Sequence, residues 1–270
     1  ITGGLGLSNT SDGSMNGTGV DNNCIFAYRQ AIKVMTDPMA VNTNILAVPG
    51  IRDSLITDLA MQSTREYSKA IYLMDIAHYD ADATRLFDDD TARRNVQETA
   101  DQFEARAVDN NYSATYFPDV FINDPVLNRI TFVPSSVAAL GALGFNDAVS
   151  YPWFAPAGFN RGALDFVRNS QVRLTAGDRD TLYDSRINPI ATFPGSGFVI
   201  FGQKTLQMRQ SALDRVNVRR MLLEVKRLVV NVAERLLFEQ NTPAVRARFV
   251  GQVSPLLALI QTQQGIESFR

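Results

Sequence analysis

Asn44-Ile-Leu-Ala-Val-Pro49-Gly50, Asp53-Ser-Leu-Ile-Thr-Asp-Leu-Ala-Met-Gln62 and Ala70-Ile-Tyr-Leu-Met-Asp75 decide the fold. The first and last are apolar runs of strand length, and Pro-Gly closes the first with turn chemistry. Between them Leu55, Ile56 and Leu59 recur at helical spacing, so one apolar helix face can lie on the strands. Strand, helix and strand within about thirty residues form a βαβ unit, whose crossover is right-handed.

On the N-terminal side, residues 1–23 are dominated by Gly, Ser, Asn and Thr, which gives a flexible opening loop before a helix over 25–34. The Gly3-Gly4-Leu-Gly6 start lacks the preceding strand and following Gly-Lys-Ser/Thr of a phosphate loop. On the other side, Asp80-Ala-Asp82 through Asp88-Asp-Asp90 offers carboxylates, but not at the spacing of an ordered cation loop. It reads as a solvated linker, with Asp90 or Thr91 capping a helix over 92–108 that turns Val96, Phe103 and Ala107 inward. A third strand is expected over 112–117. The chain is thus α/β (α+β mixed): an α/β domain over 1–150, then a second domain over 151–270 with a hairpin region and long packed helices.

Composition narrows the function. A chain of 270 residues with 45% hydrophobic content can bury a large core. No apolar run approaches the roughly 20 residues of a membrane-spanning helix, so no membrane insertion is expected. Cys24 and His78 are the only residues of their kinds, which excludes a disulfide framework, a Cys/His zinc site and a relay of several histidines. A single cysteine fits a reducing cytoplasm. Net charge is −2, yet residues 1–135 carry 10 Lys/Arg against 18 Asp/Glu while 136–270 carry 16 against 10. That polarity suits head-to-tail association of like subunits. The basic residues have no interleaved aromatic platform, so nucleic-acid binding is not expected. Asp178 with Asp180, or the 88–90 cluster, could serve a carboxylate-dependent α/β hydrolase, but no nucleophile elbow or ligand-spaced cluster accompanies them. No catalytic, metal or cofactor residue is assigned.

In the second half, 171–176 alternates like a strand, Gly177-Asp178 reads as a turn, and residues 192–197 turn into a strand over 198–201. A helix follows over 211–238. Val218, Met221, Leu222, Val225, Leu228, Val229, Val232 and Leu236 form its expected core stripe. The opposite side carries Arg219, Arg220, Lys226 and Arg227, with Leu223, Val230 and Leu237 among them every seven residues. This second face is either covered by the chain itself or a candidate contact with another subunit or a tube, its arginines setting register. On the second reading, reversing Arg219 and Lys226 to Glu would leave folding intact and weaken assembly. Thr242 caps and Pro243 starts a further helix, Ser254-Pro255 restarts it, and Gly265 ends it.

Trp153-Phe-Ala-Pro-Ala-Gly158, Asn188-Pro189, Phe201-Gly-Gln-Lys-Thr-Leu206, Asn217-Val-Arg-Arg220 and Phe238-Glu-Gln-Asn241 follow one another in the order seen in contractile-tail sheath proteins. From about residue 132 to 265 the chain resembles their C-terminal domain. It departs at Pro134-Ser135-Ser136, where the family has Pro-Pro-Ser-Gly at a helix start, and at Gln240, where the family has proline. Trp153, Pro156 and Gly158 are expected to set a packed turn, Asn188 and Pro189 a turn whose buried backbone Asn188 satisfies, and Gly202 a tight strand exit. Thr205 and Asn217 complete the structural motif. The resemblance implies a virion subunit without cofactor or nucleotide, assembled in the host cytoplasm. Such subunits polymerise as stacked hexameric rings around an inner tail tube protein, with baseplate and tail terminator proteins as further partners. Phage-derived injection devices carry equivalent subunits. With Ile1 at its start and Arg270 at its end, the chain reads as a protease-resistant fragment lacking a terminal arm, expected to be monomeric alone.

Overall fold

The computed structural model describes residue 20 and residues 22–87, 93–124, 126 and 128–269. The expected opening loop lies almost wholly outside these, as do Asp88–Asp90 and the caps expected at Asp90 or Thr91. The helix expected from 92 begins at Val96, because Asn95 caps it by accepting from Glu98 N at 3.0 Å.

In chain order the elements are α1 (Asn23–Met35), β1 (Ile45–Ala47), α2 (Ser54–Tyr67), β2 (Ile71–Met74), β3 (His78–Tyr79), β4 (Arg85–Leu86), α3 (Val96–Ala105), β5 (Ser113–Phe117), β6 (Val120–Asp124) and β7 (Arg129–Val133). Next come α4 (Ser135–Val149), β8 (Val167–Ser170), α5 (Ala176–Asp184), β9 (Ile187–Phe193), β10 (Gly197–Ile200), α6 (Val216–Ala233) and α7 (Pro243–Thr262). The βαβ unit forms as expected: β1 and β2 pair in parallel with Ile45 opposite Ile71. The main sheet runs β1-β2-β5-β9-β10, parallel except for the antiparallel β9–β10 hairpin, so it takes strands from both sides of residue 150.

Strand alternation separates two cores. Leu46, Tyr72, Met74 and Phe117 pack with Ile25, Ile56, Phe103 and Leu182 of α1, α2, α3 and α5. Ile71, Leu73, Ala114 and Tyr116 face Ala138, Leu143, Val216 and Leu223 of α4 and α6. All four β2 residues are buried, as a sheet covered on both faces requires. A small sheet, β7-β6-β8, lies beside α4, where Phe166 presses on Gly141 so closely that a Cβ there would sit 2.9 Å from the ring.

α3 stops at Ala105, leaving Ala107, expected to face inward, exposed at φ +48°; the helix expected over 211–238 narrows to Val216–Ala233; and three further expected elements differ. Residues 171–175 form no strand, and Gly177-Asp178 lies inside α5. Thr175 caps that helix with a reciprocal Asp178 bond, which overrides the alternating pattern. Asn188-Pro189 is not a turn but the heart of β9. Proline is tolerated there because β9 passes from pairing with β5 to pairing with β10 at this point, and the Pro189 carbonyl accepts from Phe201 N at 2.8 Å. α7 runs through Ser254-Pro255 without restarting, the proline costing it the hydrogen bond that the Gly251 carbonyl would otherwise accept.

Asn188 does satisfy buried backbone, as expected. Its Nδ2 donates to Thr115 O (2.9 Å) and Lys204 O (2.8 Å), and its Oδ1 accepts from Lys204 N (2.6 Å). One fully buried amide thereby joins β5, β9 and the segment after β10. Asn188→Ala strands these groups and is expected to lower unfolding free energy by about 3 kcal/mol in denaturant titration; a change under about 1 kcal/mol would mean the groups find other partners.

Candidate functional site

The expected interface face of α6 is turned inward over its first two turns. Val216, Arg219, Arg220 and Leu223 fall at i, i+3, i+4 and i+7, and all are buried. Arg219 is 6% exposed; its guanidinium lies 4.0 Å from the Tyr112 ring centroid and Nε donates to Asn111 O at 3.1 Å. Burial pulls its pKa below the usual arginine value. Arg220 pairs with Asp147 of α4 at 2.5 Å. Lys226 reaches Ser68, and Arg227 reaches Asn44 Oδ1 at 2.7 Å and pairs with Glu224. Val230 is half-buried.

The expectation of an exposed seam is therefore corrected at Arg219, Arg220 and Leu223, and the assignment of faces is inverted. The stripe from Val218 to Leu236 is only half-buried, with Leu222 39% exposed, and α7 supplies its partial cover. The physical reason is that long arginine stems can line a core when the head finds an aromatic face, a carbonyl or a carboxylate.

The motif residues converge on joints. Trp153 stacks on Tyr151 at 4.9 Å and donates from Nε1 to Gln263 O at 3.0 Å, while its carbonyl accepts from Asn217 Nδ2 at 3.2 Å. A Cβ on Gly265 would lie 2.5 Å from Ile260 and 3.2 Å from Trp153, so the end of α7 can close on the indole only with glycine there. Pro156 is buried, and Gly158, at φ +82°, donates to Ile200 O at 2.9 Å. A Cβ on Gly202 would lie 3.0 Å from Asn188 Oδ1 and Pro189 Cδ, and buried Thr205 donates to Leu213 O at 2.9 Å.

A buried polar network at the C-terminal ends of β2 and β5 was not read from sequence. Asp75 Oδ1 accepts from Ser136 N (2.9 Å), and Oδ2 accepts from Gly50 N (2.8 Å) and Ser136 Oγ (2.8 Å). Asp119 Oδ1 accepts from Ser135 N (2.8 Å), and Oδ2 pairs with Arg52. The N-terminus of α4 thus faces two carboxylates. His78 Nδ1 accepts from Arg94 Nε at 3.0 Å, leaving Nε2 3.7 Å from Asp119. Burial, then Arg52 and Arg94, holds the His78 pKa well below its usual value; burial pushes Asp119 up to about 6 against the pull of Arg52. Asp75, Asp119, His78, Ser135 and Ser136 are each at most 2% exposed, and the carboxylates are occupied by protein donors. Among the described residues no cluster of His, Cys, Asp and Glu could hold a metal ion. The only signal was the pair Asp75 and Asp119, each an acid directly after an apolar run.

No protein-family model matches the chain. The tail sheath proteins of Vibrio phage KVP40 and Enterobacteria phage T4 are similar to it, at 37% identity over 163 residues and 33% over 164. These matches take in 60% and 61% of this chain but 23% and 24% of those proteins. The chain therefore spans about a quarter of the length of the curated relatives it matches. Among solved structures, the contracted PVC sheath complex of an extracellular contractile injection system superimposes with TM-score 0.68 at 18% identity, over 96% of this chain and 69% of that one. The contracted helical sheath of the anti-feeding prophage gives 0.64 at 20% identity, over 86% and 59%. The chain resembles contractile tail sheath proteins in sequence and has the sheath fold.

Two outcomes follow from the geometry. Arg219→Glu is expected to destabilise the fold by about 3 kcal/mol in urea titration, and Lys226→Glu by under about 0.5 kcal/mol; equal, small effects would place the Arg219 face outside. The second concerns acid. Unfolded His78 takes up a proton below pH 6.5 while the buried ring does not, so stability falls on acidification; Asp119, protonated in the fold from about pH 6, works in the opposite direction. His78→Gln removes the first effect, so on acidification below about pH 6 it should gain stability relative to the parent. Parallel stability–pH curves for the two proteins would show that His78 titrates normally in the fold.

Proposed function

We propose that this chain is part of a structural, non-catalytic subunit of a contractile tail sheath. In this reading the complete subunit polymerises as stacked hexameric rings around an inner tail tube and contracts to drive the tube through a host envelope. Its partners are further copies of itself, the tube protein, and baseplate and tail terminator proteins. It assembles in the host cytoplasm and ends in the virion. The observation that carries the proposal is the 37% identity over 163 residues to a phage tail sheath protein. The sheath fold and the charge asymmetry between the chain's halves support it. So does the buried network, whose carboxylates are engaged by protein donors at a place where α/β enzymes commonly bind substrate.

An injection-device sheath is the second reading, favoured by the two injection-type sheaths among the structural neighbours. Capsid genes beside the coding sequence would select the phage, and their absence beside a tube gene the device.

Contraction in such an assembly is a rearrangement between two sets of subunit contacts and needs no nucleotide. The 270 residues alone are expected to sediment as a monomer, while the complete subunit forms tubes with sixfold cross-section in negative stain. A complete subunit that stays dispersed at high concentration would sink the proposal, and long tubes from the 270 residues alone would contradict the expected need for further segments.

A further inference from the structure

Beside α5 lies an open cleft of about 470 Å³ whose surroundings the sheath reading leaves unassigned. Its floor is Ala157, Gly158 and Gly202, which leave room because they carry little or no side chain. One wall is Phe201, 45% exposed, which forms a surface aromatic cluster with Phe193 (centroids 4.9 Å apart); Phe159, 52% exposed, meets Phe193 at 5.1 Å. Arg179 stands over this cluster, 4.8 Å from the Phe193 ring and 5.7 Å from Phe201. Among the described residues no carboxylate forms a salt bridge with Arg179. The Gln203 side chain also lines the cleft, and its Oε1 is buried without a hydrogen-bond partner.

Exposed clustered aromatics next to a concave apolar floor are the anchor of a protein contact. An unpaired guanidinium at the rim adds a preference for a carboxylate. The fitting occupant is therefore an apolar side chain followed by acid. The chain carries such a segment: Phe87-Asp88-Asp89-Asp90. Phe87 is 46% exposed, and Arg85, 5.0 Å from its ring, is the cation that meets it in the fold. Phe87 thus stands free of its own chain's cleft.

Resting on the sheath reading, we propose that in the assembled sheath the Arg179–Phe201 cleft of one copy takes the Phe87–Asp90 segment of a second copy, as one contact among several that by itself leaves the 270 residues monomeric in sedimentation. Phe87 does not line the cleft, so a contact joining the two is heterologous and propagates head to tail, as a helical polymer requires. It also gives the opposite charge balance of the chain's two halves a specific meeting place.

The test uses a labelled peptide covering residues 82–93 and the 270-residue chain. Anisotropy should report saturable binding that weakens with salt. Arg179→Glu and Phe201→Ala should each weaken it by about tenfold or more, with thermal melting unchanged. A peptide with Asp88, Asp89 and Asp90 changed to Arg should fail on the parent chain and bind Arg179→Glu. Arg179→Gln serves as a second variant should the reversal disturb folding. Absent binding, or binding indifferent to both substitutions, overturns the proposal. Assembly of the complete subunit is followed separately: tubes without peptide binding refute this contact and leave the sheath reading intact. Peptide binding by a subunit that never polymerises keeps the contact and refutes the sheath.

Discussion

Two buried carboxylates set against one helix N-terminus hold this fold in register. A parallel sheet covered on both faces leaves its C-terminal edge short of solvent, so acids placed there must be met by protein donors. Asp75 ends β2 and Asp119 follows β5; α4 begins where Ser135 N and Ser136 N can reach both. The position of α4 then decides the second layer. It supplies Ala138 and Leu143 to the core, Asp147 to Arg220, and the packing surface for Phe166 beside the small sheet. Gln171 N donates to the Asp119 carbonyl at 3.0 Å, so the excursion through β6, β7, α4 and β8 returns to the residue from which it left.

The first turns of α6 extend the same logic. Two arginines enter the layer between sheet and solvent, each with a partner suited to its geometry: an aromatic face and a carbonyl for Arg219, a carboxylate for Arg220. Burying such groups is tolerable only with those partners in place, and this makes the docking of α6 specific rather than merely apolar. Val216 and Leu223 alone would permit rotation of the helix about its axis; the Tyr112 and Asp147 contacts fix one setting.

How much of this was legible follows from what sequence patterns encode. The βαβ unit, the strand over 198–201 and the Thr242-Pro243 helix start are local, and each is found in the structure. Asn188 was understood as a buried satisfier of backbone groups but placed in a turn, because an Asn-Pro pair reads as a turn unless one knows that β9 changes pairing partners there. The two faces of α6 were exchanged because hydrophobic spacing counts side chains by type, whereas Arg219 is buried by virtue of Tyr112, which is 107 positions away in sequence. The Asp75 and Asp119 network is similarly non-local: each acid is unremarkable in its own segment, and only the return of α4 to the sheet brings them to one pair of amides.

The motifs that carry the family likeness act as joints rather than chemistry. Trp153 ties the chain after α4 to the start of α6 through Asn217 and to the end of α7 through Gln263, while Asn188 ties two strands to the segment leading into α6. Trp153 therefore clamps the α6–α7 pair at the one end where α6 begins and α7 finishes. A body braced in this way transmits displacement without absorbing it, since packed interiors are stiff and resist continuous deformation. For a subunit whose proposed work is to exchange one set of neighbours for another, such bracing is a physical requirement: the free energy of rearrangement reaches the assembly only if it is released at surfaces and not dissipated in internal repacking. The motifs that carry the resemblance, Trp153 and Asn188 among them, sit at these joints.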